Sequence, residues 1–363
     1  MRHACGNLEC NRKCMMCKDH RCADVCENYT PCECAKLNKA PYCCNGCPKS
    51  INCLMVRKVY SAKHANDAYV DLLKSSREGT NQTPGSIQKM DSLITPLLKK
   101  GQSIAHIYAT HAEDIGCSRT TIYKYIGEGV LSVGNLDLRR RVRYKVRKRS
   151  TRASIRNCAF RAGRDYKDFR RLIEEKSPSS IVEMDTVEGK KGTKKCFLTM
   201  LFRSCNLMLI FLLDSQTQEE VLRVFDMLSD ALGTELFRRL FEVVLTDNGH
   251  EFQHPDMLEN DRDGNIRTHI YYCDPFHSCQ KGSLEKNHEY IRYVLPKGKA
   301  FTDLTRDQTT LLMNHINSEK RDSLNGHSPY EVSRILLDNK LHQVLGLVEI
   351  PADEVTLNPT LIK

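Results

Sequence analysis

At 363 residues, with 40% hydrophobic residues and a formal charge of +10, the chain is long enough for two or three domains with a sizeable core, which excludes a single small domain. The charge is concentrated: residues 137–171 carry 15 Lys/Arg against three Asp, and the remainder is close to neutral. Twelve of the 18 cysteines fall in the first 53 residues, residues 1–6 have no apolar signal core, and the longest apolar run, 207–213, is too short to span a bilayer. These features argue against secretion with disulfides and against a membrane partner, and they predict a cytoplasmic, reducing location in which clustered cysteines act as metal ligands.

Residues 1–58 read as a Cys-rich arm containing Cys14-x2-Cys17, Cys22-x3-Cys26, Cys32-x-Cys34 and Cys43-Cys44-x2-Cys47-x5-Cys53. Little else there can build a core, so Zn²⁺ held by closely spaced thiolates is expected to take its place. The irregular spacing leaves the ligand set open among Cys14, Cys17, Cys43, Cys44, Cys47 and Cys53, and reduced thiols in a loosely ordered arm are the alternative. Residues 59–84 follow as an amphipathic helix and a hinge: Ala62, Ala65, Tyr69, Leu72 and Leu73 recur at helical spacing, and Pro84 and Gly85 mark the hinge.

Over residues 85–136 three short helical patterns, 87–99, 103–111 and 118–126, are separated by Gly101 and by Gly116-Cys117. Ser118 is placed to cap the third, whose exposed face carries Arg119, Thr120, Thr121, Tyr123 and Lys124 while Ile122 and Ile126 turn inward. This is the build of a helix-turn-helix whose last helix enters the major groove of DNA, with a plain three-helix bundle as the competing reading. The next segment, 137–178, favours DNA. Its Arg139, Arg140, Arg141, Arg143, Lys145, Arg147, Lys148 and Arg149 read as a basic linker that tracks phosphates.

Beyond Ser180 the hydrophobic pattern becomes that of strands. Strands are expected at 181–187, 196–202, 207–213, 242–246 and 268–273, with a helix over 217–232 after the third and another starting at Lys281. Three strands, a helix, two strands and a helix is the order of the ribonuclease H-like fold. The expected fold class is therefore α/β: a mixed five-stranded sheet with helices over 179–340, preceded by the all-α helix-turn-helix domain and the arm, and followed by a tail over 341–363.

In that order Asp185 lies on the first strand, Asp247 ends the fourth and Glu285 sits on the last helix. Phosphoryl transfer on nucleic acid uses hard divalent ions with oxygen ligands, so these three are the candidate catalytic acids and ligands for two Mg²⁺ (or Mn²⁺) ions. Glu289, one turn past Glu285, competes for the third place. His250 and His288 read as satisfied polar residues rather than phosphate contacts, Arg292 and Lys297 as phosphate contacts, and the cysteines at 117, 158, 196, 205, 273 and 279 as buried or incidental.

From the helix near Tyr60 to about Val332 the chain resembles the bacterial transposases of the insertion-sequence-30 family, which are related to retroviral integrases. The resemblance rests on Glu183-Met184-Asp185-Thr186-Val187-Glu188-Gly189-Lys190, on Thr246-Asp247-Asn248-Gly249-His250-Glu251-Phe252, and on Gly282-Ser283-Leu284-Glu285-Lys286-Asn287 leading to Ile291-Arg292 and Leu295-Pro296-Lys297-Gly298. It places the family's catalytic acids on Asp185, Asp247 and Glu285. It implies a transposase that binds terminal inverted repeats and target DNA, acts as a homodimer or larger assembly on paired ends, and cleaves and joins strands with Mg²⁺. A transposase-derived DNA-binding regulator without catalysis is the alternative. The 37 residues between Asp247 and Glu285 slightly exceed the family's usual spacing, pointing to a small insertion around Asp261 to Asn265. The Cys-rich arm has no counterpart in the family pattern.

Overall fold

The computed structural model describes residues 33–51, 53, 55–76, 79, 80, 82–139, 159–275 and 277–362. Two compact units emerge, Met1–Gln82 and Thr83–Lys363. In the first, helix α1 (Ala62–Ser76) forms over the expected stretch, yet it buries no residue, and Tyr69 and Leu72 are 59% and 67% exposed. Before it the chain runs through turns, with a parallel bridge between Glu33 and Val56 and an ion pair between Lys58 and Glu33 at 2.9 Å. Cys14 and Cys17 lie outside the described residues. Cys43, Cys44, Cys47 and Cys53 are free and half-buried, and no group of three metal-ligating side chains forms among the described residues.

The second unit begins with α2 (Pro84–Lys99), α3 (Ile104–Ile115) and α4 (Arg119–Gly127). Each starts at a hydroxyl cap: the Thr83, Ser103 and Ser118 side chains accept from the amides of Ser86, His106 and Thr121. Met90, Ile94, Ile107, Ile122 and Ile126 close one core between the three helices, joined by Tyr125. Arg140, Arg141, Arg143, Lys145, Arg147, Lys148 and Arg149 lie outside the described residues. The basic segment nevertheless contains a helix that periodicity does not reveal, α5 (Tyr166–Lys176), whose Phe169 is buried.

The mixed sheet is built from β1 (Ile181–Glu188), β2 (Cys196–Phe202), β3 (Met208–Leu213), β4 (Val243–Thr246) and β5 (His269–Tyr272), in the order β3-β2-β1-β4-β5. Only β2 runs against the others, pairing antiparallel with β1 and β3, while β1–β4 and β4–β5 are parallel. This is the ribonuclease H-like arrangement. Every residue of β2 and β4 is buried, as expected for strands covered on both faces. Alternate β4 residues divide between the two sides: Val244 joins the main core, whereas Val243 and Leu245 pack with Phe169 of α5.

The main core is completed by α6 (Gln218–Leu232), α7 (Thr234–Leu240), the short α8 (Pro255–Glu259), α9 (Gly282–Val294) and α10 (Arg306–Ser318), and then by α11 (Pro329–Leu336) and α12 (Asn339–Leu345). The segment 341–363 is more than a tail, because Val355, Leu357 and Ile362 are buried in this core. It also grips the helix-turn-helix: Leu357 N–H donates to Lys100 O at 2.8 Å, and the Gln102 amide donates to Ala352 O and Val355 O at 2.9 Å each. The turn at Asp261 to Asn265 is a local loop closed by an Asn260–Ile266 bridge. No described helix is long and apolar enough to cross a membrane.

Two imidazoles, buried His315 and half-buried His288, make the core acid-sensitive. Burial pushes His315 and His288 down from the ordinary histidine range to about 4. Both are neutral when folded, while the unfolded chain takes up protons below about 6.5, so stability is present at neutral pH and is lost as pH falls from about 6.5 toward 4. Denaturation with urea should show a loss of about 1–2 kcal/mol per imidazole between pH 7 and pH 5. A flat profile over that range would remove the assignment.

Candidate active site

The β1–β4 register places Glu183 opposite Leu245 and, carried two residues further, Asp185 in the middle of β1 beside Asp247 just past the end of β4. The Thr246 hydroxyl donates to Met184 O at 3.3 Å and keeps the strands in step at the point where the acids emerge. Each acid is oriented by a backbone amide: Thr186 N–H donates to Asp185 Oδ1 at 2.9 Å, and Gly249 N–H donates to Asp247 Oδ1 at 3.0 Å. Asn248 turns its amide onto Cys273 O at 2.9 Å. The loop after Asp247 is thereby fixed to the neighbouring strand end, and the carboxylate is left 47% exposed.

The Oδ2 atoms of both acids face one cation. Lys281 Nζ lies 3.2 Å from Asp185 Oδ2 and 3.8 Å from Asp247 Oδ2, and it donates to Met184 O at 3.2 Å. Only 5% of this side chain is exposed, so the charge is placed in a dry setting where an unpaired ammonium would be costly. Glu285, four residues on in the first turn of α9, is exposed and makes no ion pair or hydrogen bond among the described residues. The structure thus brings Asp185 and Asp247 together around a cation but does not bring Glu285 into a common ligating group with them. Three convergent carboxylates repel one another, and a single lysine balances two of them more readily than three.

The start of α9 is anchored to the sheet by residues the sequence reading missed. Buried Glu183 accepts from Leu284 N–H at 2.8 Å and from Arg203 Nε at 2.6 Å. An acid inside an otherwise apolar strand was the available signal. One turn on, His288 Nε2 meets the Thr199 hydroxyl at 2.8 Å, and that hydroxyl donates to Asp185 O at 3.0 Å. His288 is therefore a satisfied, half-buried imidazole, and exposed His250 has its Nε2 2.7 Å from Gln216 O.

Behind the acids lies Glu251, 1% exposed, whose Oε1 accepts from the Thr186 hydroxyl at 2.7 Å and from the Gln216 amide at 2.8 Å. It braces β1 against the loop after β4. This packing also explains Gly249: a Cβ there would come within 2.5 Å of the Glu251 carboxylate, so the glycine serves close approach rather than an unusual backbone angle.

Ser118, Arg119, Thr120, Tyr123 and Lys124 are exposed on α4, and Thr121 is half-buried. Arg119 is engaged within the chain, its Nη1 lying 2.5 Å from Asp322 Oδ1. Arg139, expected on phosphates, instead gives Nη1 to Glu319 at 2.6 and 2.8 Å and lies over the Tyr290 and Tyr293 rings. Arg292 is half-buried and donates to Glu188 O at 2.9 Å, while Lys297 is exposed. Cys196, Cys205 and Cys273 are buried, Cys117 is half-buried, Cys279 is exposed, and Cys158 lies outside the described residues. A surface depression of about 910 Å³ near Arg238, Glu242 and His269 lies at the opposite ends of β4 and β5 from the acids.

No family model matches the chain. It is 31% identical over 248 residues to the transposase for insertion sequence element IS4351 of Bacteroides fragilis, a match covering 67% of this chain and 72% of that protein. It is 24% identical over 228 residues to the probable transposase for insertion-like sequence element IS1161 of Streptococcus salivarius, covering 62% of this chain and 61% of that one. Among solved structures it is similar to the HTLV-2 integrase catalytic core domain in complex with magnesium, at 16% identity, 43% coverage of this chain, 96% of that chain and a TM-score of 0.31. The BIV integrase catalytic core gives 18% identity, 42% and 93% coverage and a TM-score of 0.31.

Proposed function

The chain belongs to the transposases of insertion sequence elements, and on that premise we propose that it binds the terminal inverted repeats of its element and catalyses Mg²⁺-dependent cleavage and strand transfer, in the manner of the insertion-sequence-30 family. One observation carries this reading: Asp185 and Asp247 stand at matching positions on parallel strands and share a cation between their Oδ2 atoms. The lysine ammonium held there supports the reading that the pair accommodates positive charge, and two carboxylates are a donor set that fits a divalent ion. Asp185 and Asp247 would hold it, with Glu285 contributed by α9, and two ions are proposed for the full reaction. When bound, Mg²⁺ or Mn²⁺ supplies Lewis acidity toward the attacking and leaving oxygens.

The chain's own residues do the rest. Amide hydrogen bonds fix the carboxylates, and Glu183, Thr199 and Lys281 dock α9, the helix that carries Glu285, against β1. A water oxygen forms a bond to the phosphorus at the element end, the bond from phosphorus to the 3′ oxygen breaks, and a 3′ hydroxyl is released. That hydroxyl then attacks a phosphodiester of target DNA, releasing its 3′ oxygen. No covalent enzyme intermediate is needed.

DNA recognition is assigned to the exposed face of α4, to Lys297 and to the basic segment beyond Arg139. A cleft of about 350 Å³ lined by Tyr123, Lys286, Tyr293 and Lys320 runs from that helix to α9 and combines cations with aromatic faces, as nucleic-acid-binding surfaces do. Joining two ends requires two active sites, so a dimer or larger assembly is proposed, acting on cytoplasmic DNA. Incubating the protein with duplexes that carry the sequences flanking its gene should give nicks leaving a 3′ hydroxyl with Mg²⁺ and none with EDTA. Absence of any Mg²⁺-dependent nick would overturn the proposal.

For the Cys-rich arm we keep Zn²⁺ binding as a proposal supported by its cysteine spacing alone. Metal analysis of the purified protein should find zinc, and chelation should change the circular dichroism of the arm without lowering the melting temperature of the Thr83–Lys363 unit. A zinc-free protein with an unchanged spectrum would remove it.

A further inference from the structure

We propose that Lys281 is a resident counter-cation, holding the Asp185–Asp247 pair together in the metal-free chain and limiting divalent-ion binding until DNA phosphate draws the ammonium away. The proposal rests on the reading of these two acids as the metal site. The two carboxylates divide their oxygens in the same way, each Oδ1 taken by a backbone amide and each Oδ2 turned to Lys281 Nζ. A divalent ion and the ammonium therefore compete for the same pair of oxygens.

The backbone of Lys281 is not free to withdraw. It directly precedes α9, whose first turns are pinned through Leu284 N–H to Glu183 and through His288 to Thr199. The flexible four-carbon side chain is what can move. Once displaced, a nearly buried ammonium needs another anion, since an unpaired charge there is strongly disfavoured. The backbone of a DNA strand lying across the acids offers a phosphate at that place. Metal loading and substrate binding then favour one another, because the lysine surrenders one partner as it gains the other.

The test is Mn²⁺ binding to the full-length protein without DNA, read by electron paramagnetic resonance, for the wild type, Lys281→Met, Lys281→Gln, Lys281→Arg and Asp247→Asn. Removing the ammonium should tighten Mn²⁺ binding about tenfold or more in both neutral variants and enlarge the rise in melting temperature on adding Mn²⁺. Lys281→Arg, which keeps the charge, should bind as weakly as the wild type. A neutral variant that is unfolded without metal but folds on adding Mn²⁺ supports the proposal equally. Neutral variants that bind Mn²⁺ no more tightly than the wild type, or that stay unfolded in saturating Mn²⁺, overturn it and leave Lys281 as a packing residue. The Asp247→Asn arm separates the two readings: if it leaves Mn²⁺ binding intact, the acids are not the metal site. If it weakens binding while the neutral variants match the wild type, only the role of Lys281 fails.

Discussion

Asp247→Asn should lower Mg²⁺-dependent cleavage at the element end by about 10³-fold or more, about 4 kcal/mol of transition-state stabilisation, while end binding changes by less than about twofold. The asymmetry follows from position. The Asp247 carboxylate lies at a strand end facing Asp185 and Lys281, whereas the assigned DNA-reading residues sit on α4. The amide is nearly isosteric, so the Gly249 N–H can still find an oxygen and the loop keeps its course. What is lost is one negative charge of the pair that would hold the ion. Nicking measured beside a gel-shift titration on the same duplex separates the two effects. Cleavage surviving within about tenfold would sink the mechanism, whereas loss of binding and cleavage together would show that the substitution damaged the fold.

The largest effect on stability should come from Glu319→Ala, at about 3–5 kcal/mol. Glu319 is 1% exposed; it accepts both short hydrogen bonds from Arg139 and a longer one from Ser103 N–H, and Arg321 is buried nearby. Burial alone would raise its pKa, but the Arg139 charge and hydrogen bonds outweigh that and hold it below the ordinary range. Truncation strands a guanidinium that is only 12% exposed. Urea denaturation of the single variant and of an Arg139→Met, Glu319→Leu double variant tests the cause. The double variant should recover most of the loss, because a buried pair replaced by apolar side chains leaves no uncompensated charge. An unchanged midpoint in the single variant would refute the pairing.

The sheet and its two aspartates were readable because both follow from local pattern: an acid interrupts the apolar run of β1 at Asp185, and another closes that of β4 at Asp247. Residues whose roles depend on distant partners were not. Arg139 heads a basic run and reads as one more phosphate contact, but its partner lies 180 residues away. Lys281 at a polar helix start looks solvated until the fold places it under two carboxylates. α5 is obscured by its own charge, since Phe169 is its one fully buried side chain among Lys, Arg and Glu. The segment after Leu345 is too irregular to show a period, although Val355 and Leu357 are as buried as any strand residue.

The matched positions of Asp185 and Asp247 bear on how such a chain can diverge. What must be preserved is the phase of each acid along its own strand, not the number of residues between them. Whole turns can be added or removed at the β2–β3 connection, after α6 or around Asp261 without disturbing the pair, whereas one residue gained or lost inside β1 or β4 would turn an acid to the other face of the sheet. Relatives of this protein should therefore vary freely in the spacing of their acids and hardly at all in the strands that position them.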